Sequence, residues 1–358
     1  MKKYYWLFIT IIFIACKNKT DIATPINVGN ANYYFPPSNS DTWETVTPQS
    51  LGWDVNKLNE ALVYAQSKNT YGFIILHKGK IVTENYWNGW NKDTRYYIAS
   101  AGKSIVGLLV GIAQKEGILK ISDKTSKYLG NGWTSCPQAK EDLITIKHQL
   151  SMTSGLDDGV ADSDCRTPDC LKYKADAGTR WAYHNAAYHL LHDVLVKASG
   201  MTMNNYTKTK LADKIGMKNY TWLNYILGLN TRDMARFGSL ILNKGTWNGQ
   251  TVLNDTAYFD EMLHTSNTYN KSYGYLWWLN GKETLMVPTS QVVFKTPLAA
   301  TAPADMVACL GKGDKKIYVI PSLDLVVIRH GDDTGTNLLG PSSFDTFLWE
   351  KLKLAIKY

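Results

Sequence analysis

The 358-residue chain contains no internal repeat, no low-complexity stretch and no block of like charge. Without repeats it is not a stacked or propeller array, and its core must be built from unlike elements. Lys and Arg outnumber Asp and Glu by 39 to 31. Spread along the chain, that excess gives a solvated basic surface and argues against nucleic acid as a partner. Gly-x-Ser-x-Gly is missing, which removes the nucleophile elbow of the α/β-hydrolases. Metal-ligand spacing is missing too. His184, His189 and His192 lack the glutamate of a helical zinc motif, and Asp157, Asp158, Asp162, Asp164 and Asp169 lack EF-hand spacing. We therefore expect no metal and no cofactor, and read the aspartates as a solvated acidic loop.

Long apolar runs are also scarce. The main one, Tyr4 to Ala15, is twelve residues long and follows Lys2 and Lys3. It is too short to cross a bilayer and fits a cleaved export signal over residues 1–15. Phe13-Ile14-Ala15-Cys16 resembles a bacterial lipoprotein cleavage box, with phenylalanine in place of the usual leucine. The expected product is exported to the cell envelope and anchored to the membrane through a lipid on Cys16; a plain secretory signal is the alternative. Removal of Lys2 and Lys3 leaves a net charge of +6, from 37 basic and 31 acidic residues.

Cysteine is sparse, at 5 residues. In an oxidising compartment Cys165 and Cys170, five apart in a polar loop, are candidates for a small disulfide, with Cys136 as a rival partner and Cys309 free.

Abundant residues then set the architecture. An apolar content of 44% and a charged content of 20% describe a globular chain. Residues 16–50, rich in Pro, Asn, Ser and Thr, read as a tether leading into an ordered extended arm. Asp54 caps a helix to about Lys68, and strands follow at 73–77 and 80–87. Helical patterns dominate from Ser100 to about residue 264, including 143–152, 186–199 and 231–243. Strand patterns return with the aromatic run 273–278 and a meander at 305–310, 316–320 and 325–330. A last helix spans 342–356, with Phe344, Phe347, Leu348, Leu352 and Ile356 on its apolar face. This order predicts an α+β fold: an antiparallel sheet flanked by helices, formed by 51–95 and 265–358, plus an all-helical domain over 96–264. The active cleft lies between them.

The segment 96–119 carries the chemistry. Ser100 opens a helix that is apolar on nearly every side from Ser104 to Ala113, and Lys103 shares its face. A lysine in such a helix must find a polar partner or lose its proton, and a neutral lysine beside a serine is a base beside a nucleophile. No other serine in the chain is followed by lysine three residues on. Gly107 and Gly111 in the same helix point to close packing in a soluble core rather than membrane dimerisation. Tyr183-His184-Asn185 supplies a phenol for proton transfer and an amide for substrate contact.

Ser100-Ala101-Gly102-Lys103, the stretch Thr145 to Leu156, Tyr183-His184-Asn185 and the closing Ile317 to Val327 together resemble the serine β-lactamase and penicillin-binding-protein superfamily. The likeness is to its class C β-lactamase-like and esterase branch and covers nearly the whole exported chain. It implies a β-lactamase/transpeptidase-like fold, Ser100 as acyl-enzyme nucleophile, Lys103 and Tyr183 as the proton-transfer pair and Asn185 as a substrate contact.

One departure matters. The family often carries Lys-Thr-Gly on the strand bordering the cleft, and the chain has none. Cys309-Leu310-Gly311 takes that place, so a cysteine replaces the cation, and Gly311 and Lys312 sit at the oxyanion position. Losing a charge-assisted bond to a substrate carboxylate, worth ~1.5–3 kcal/mol, should favour neutral esters or amides over β-lactams. The substrate is thus a small-molecule or peptide-like ester or amide. A true β-lactamase or D,D-peptidase, and a penicillin-binding sensor that acylates without turnover, are the alternatives. Mass spectrometry of the membrane fraction should find an N-terminus at a lipid-modified Cys16; an unmodified N-terminus beyond that residue would reject the anchor.

Overall fold

The computed structural model describes Met1, residues 32–335 and residues 340–358. The export signal, Cys16 and the tether up to residue 31 lie outside the described residues. Six strands form one antiparallel sheet: β1 (Thr70–His77), β2 (Lys80–Tyr86), β3 (Trp278–Leu279), β4 (Val307–Gly311), β5 (Lys315–Ile320) and β6 (Leu325–Gly331), in the order β2-β1-β6-β5-β4-β3. The principal helices are α1 (Val55–Ser67), α2 (Gly102–Lys115), α3 (Ile146–Leu150), α4 (Asn185–Ser199), α5 (Thr231–Leu242) and α6 (Ser343–Ile356).

The sheet is covered on both faces, so its central strands are buried at every position rather than alternately. The two-residue period decides what each face holds. On β5, Lys316 and Tyr318 meet α6 through Asp345, which accepts from both, while Ile317 faces Gly238 of α5. Helix α1 packs against α6 and β1 on one face, and α5 packs on β1, β5 and β6 on the other. The sheet layer therefore recruits the helix at 231–242 as well as the two chain ends.

Local chemistry sets the element ends. Asp54 accepts from the backbone N–H of Lys57 at 3.1 Å, and Ser342 and Asp345 form a reciprocal cap on α6. The arm after residue 32 runs beside β2: Val46 N–H donates to Ile81 O, Ile81 N–H donates to Glu44 O, and the Trp43 indole donates to the Gly79 carbonyl at 2.7 Å. It thereby covers an edge of the sheet. Arg236 of α5 holds the arm by donating to the carbonyls of Pro36 and Pro37.

Three expectations change. Residues 273–278 form a tight turn rather than a strand: Tyr273 bridges Trp278, Gly274 N–H donates to Trp277 O, and Leu276 adopts φ +62°. Leu276 N–H also donates to Gly274 O, so the backbone folds back on itself before β3 begins at Trp278. The helix expected at 143–152 shrinks to α3, because extended Thr145 caps it and Leu143 is exposed. On α6, Phe347 is half exposed and Trp349 takes its place in the core beside Tyr318.

Helix α2 is buried from Gly102 to Ala113. Its close approach to neighbours depends on Gly107 and Gly111. A Cβ at Gly111 would lie 2.3 Å from the Tyr258 ring, whose hydroxyl donates to the Gly107 carbonyl at 2.6 Å. Tyr258 is buried and tethered, so it has little room to yield. Gly111→Ala should lower stability by about 1–3 kcal/mol, read as a lower denaturant midpoint at unchanged slope.

Candidate active site

Ser100 sits in a 3-10 turn, Ala99–Ala101, that leads into α2. Ala99 adopts φ +49°, a left-handed conformation uncommon for a residue with a Cβ, immediately before the serine. Ile98 is fully buried and donates to Leu227 O at 2.9 Å, which fixes the turn from below. The serine itself is half-buried and faces a cavity of about 350 Å³.

Lys103 lies one turn along, 4% exposed, with Nζ 3.0 Å from Ser100 Oγ and donating to Asn185 Oδ1 at 3.0 Å. The rings of Tyr188 and Tyr183 complete its surroundings, with centroids 4.3 and 5.1 Å from Nζ. Among the described residues it has no ion pair. Burial therefore dominates and brings its pKa down to about 7, against a weak opposing pull from Asp164.

Tyr183 is held by the turn that replaced the expected strand. Its ring stacks on Trp278 at 6.0 Å and meets the edge of Tyr273 at 6.2 Å. Burial pushes its phenol up, and the nearby Ser100 hydroxyl draws it the other way. Near neutrality Tyr183 is a protonated phenol, whereas Lys103 can shed its proton; the two roles are separated by environment. Asn185 opens α4 after His184, so its side chain enters the cavity from a helix start.

The end of β4 closes another side. A Cβ at Gly311 would lie 2.3 Å from the Ile98 carbonyl and 3.2 Å from the Ala101 nitrogen, so only glycine lets this strand abut the Ser100 turn. Lys312 follows it and lines the cavity. Cys309 is a free, fully buried thiol beside Ser104 and has its pKa pushed up by burial; its side chain lies in the core, away from the cavity lining.

The structure brings Ser100, Lys103, Tyr183, Asn185 and Lys312 to one cavity, with Gly311 packed beneath. Cys165 and Cys170 are joined by a disulfide, and Cys136 is free. The acidic loop is more than a solvated surface. Asp158 pairs with Arg180 at 2.6 Å, and Asp158, Asp164 and Arg166 all line the cavity. Sequence reasoning also missed Tyr225 and Thr289 in the lining. Tyr225 occupies a two-residue hairpin turn with Asn224, both at positive φ, and the Asn was the only local signal. Among the described residues no group of three or more His, Cys, Asp or Glu could hold a metal, and no helix is long and apolar enough to cross a membrane.

The family model described as Beta-lactamase matches residues 33–225. A beta-lactamase of Escherichia coli is 25% identical over 218 residues, covering 58% of this chain and 54% of the relative. The 6-aminohexanoate-dimer hydrolase of Paenarthrobacter ureafaciens is 23% identical over 256 residues, covering 60% of this chain and 65% of the relative. The matched stretch thus spans less than two thirds of either curated protein. The solved structure of a family VIII carboxylesterase superposes with a TM-score of 0.63 at 16% identity, covering 83% of this chain and 96% of that one, which establishes a shared fold.

The burial of Lys103 is measurable without any substrate. An NMR titration of 13Cε-labelled lysines should show one resonance changing charge near pH 7, lost in Lys103→Met. The unfolded chain holds that proton up to the ordinary lysine value of 10.5, so between pH 7 and 10.5 the unfolded state binds more protons and this group adds stability as pH rises. The rise should be absent in Lys103→Met.

Proposed function

The chain belongs to the beta-lactamase family, and we propose on that premise that it is a serine hydrolase cleaving an ester or linear amide through an acyl-enzyme. The observation that carries this reading is Lys103 Nζ, 3.0 Å from Ser100 Oγ and poised to be neutral near pH 7. A serine hydroxyl needs a base to attack a carbonyl, and a base is most effective when its pKa lies near the working pH.

In the proposed course, Lys103 takes the Ser100 proton as Oγ bonds to the substrate carbonyl carbon. The developing oxyanion is received by the backbone N–H groups of Ser100 and Lys312, at the helix start and the strand end. Tyr183, a neutral phenol lining the same cavity as Ser100, passes a proton to the leaving oxygen or nitrogen as the carbon–heteroatom bond breaks and recovers one from Lys103. Water then enters with the same groups acting in reverse and releases the acid. Asn185 fixes Lys103 and offers its amide to the substrate.

Preference for esters or linear amides over β-lactams is supported by Cys309, whose thiol lies in the core and presents no cation from that strand. The carboxylesterase and 6-aminohexanoate-dimer hydrolase names among similar proteins agree with it. Cleavage of β-lactams is the second reading, favoured by the name of the Escherichia coli relative. We also propose export to the envelope with a lipid on Cys16.

A panel of p-nitrophenyl esters and a chromogenic β-lactam separates these readings. Steady ester turnover with slow β-lactam cleavage is expected, and Ser100→Ala should remove both turnover and labelling by an acylating probe. Labelling that survives at another residue overturns the assignment. Because the neutral amine is the active form, kcat/KM should fall with slope one below about pH 7 and level off above it. Lys103→Ala should lose several orders of magnitude at every pH.

A further inference from the structure

We propose that Arg166 is the carboxylate receptor of this cavity, so that the natural substrates are anionic esters or amides bearing a carboxylate away from the scissile bond. The inference rests on the hydrolase reading above and deepens it. The strand that carries Cys309 offers no cation to the cleft. Arg166 enters the same cavity from a different segment, the loop closed by the Cys165–Cys170 disulfide.

Its guanidinium is held flat. The central carbon lies 3.8 Å from the centroid of the Tyr225 ring, and the Tyr225 hydroxyl donates to Asp193 at 3.1 Å, which fixes that ring from beyond. A stacked guanidinium keeps its fork of N–H donors free at the edges, the geometry that grips a carboxylate through two parallel bonds. The disulfide ring limits the backbone on either side, so little ordering remains to be done when a substrate binds.

The other charges of the cavity leave Arg166 available. Among the described residues no carboxylate comes within ion-pair distance of it. Asp158 is already committed to Arg180. Asp164 lies 4.0 Å from His189 Nδ1, and burial pushes the pKa of that histidine down to about 3, so the ring is neutral. Asp193 is bound to the Tyr225 hydroxyl. Lys103 is largely uncharged above pH 7. Lys312 is exposed and, among the described residues, stacks on no ring, so Arg166 is the preorganised cation of the lining.

Matched substrates test the proposal. The p-nitrophenyl half-ester of glutarate and p-nitrophenyl valerate differ by a carboxylate on the acyl side. The butyrate esters of 4-hydroxybenzoate and 4-hydroxybenzamide differ by one on the leaving group. The wild-type protein should prefer the anionic member of at least one pair tenfold or more in kcat/KM, mainly through KM and less so at high salt. Arg166→Gln should reduce that ratio at least tenfold, and Arg166→Lys should fall between. A ratio unchanged within twofold for both pairs, or a larger fall in Lys312→Gln, overturns the assignment; thermal denaturation of each variant confirms that it is folded. If no ester is turned over, the hydrolase reading fails on its own. Binding of the glutarate half-ester to Ser100→Ala, measured by calorimetry with and without Arg166→Gln, then decides the role of Arg166 separately.

Discussion

Lys103 carries its nitrogen into a site where, among the described residues, no carboxylate forms an ion pair with it, and much of the surrounding structure answers to that fact. Lowering a lysine from its ordinary value to about 7 corresponds to roughly 5 kcal/mol of strain on the charged form. That is a large fraction of the net stability of a typical domain. The fold tolerates it because the neutral amine still has partners: Ser100 Oγ, Asn185 Oδ1 and two aromatic faces. Adding an acid beside it would restore the charge and remove the base. The amine is kept among groups that can hydrogen-bond it without fixing its proton.

Holding the amine in place requires the helix beneath it to be immobile. Helix α2 is enclosed for twelve successive residues, and its glycine at 111 lets Tyr258 reach across to the Gly107 carbonyl. The strand end at Gly311 then seats directly on the Ser100 turn. Positive φ at Ala99 is sustained because Ile98 is anchored to Leu227 and fully buried. Strain of this kind persists where neighbouring packing over-determines the backbone. The aromatic turn at 273–278 serves the same end from the other direction, since it backs Tyr183 with Trp278 and Tyr273.

The legible features were those set by periodicity and end chemistry. Helix α1 with its Asp54 cap, the hairpin β1–β2, the meander β4 to β6 and helices α4 and α5 follow from patterns that local residues enforce. The grouping of Ser100, Lys103, Tyr183 and Asn185 was legible because a buried lysine demands partners of particular types. Other features resisted for physical reasons. The aromatic run 273–278 reads as a strand from composition, whereas a left-handed Leu276 and the Gly274 to Trp277 backbone bond fold it into a turn. Phe347 and Trp349 differ by two positions on one helix and so lie on different faces, and it is Trp349 whose ring meets Tyr318 in the core. The acidic loop concealed its role because its charge is balanced at a distance in sequence, with Asp158 pairing Arg180 and Arg166 stacking on Tyr225.

That loop also bears on why a cation can be absent from the strand. Cys309 lies against Ser104, the residue after Lys103, so a lysine there would have to be accommodated close to the proposed base. Like charges in low dielectric disfavour one another, and a second ammonium would lower the affinity of Lys103 for its proton further and make it a weaker base. Arg166 does not act this way. Burial dominates the shift of Lys103, whereas the charge of Arg166 bears on His189, His192 and Asp193. Placing the proposed recognition charge on a disulfide-closed loop would keep it apart from the proposed base. On that reading the cavity would attract an anion without retuning proton transfer, and substitutions in the loop would alter substrate choice while the pair on α2 kept its chemistry.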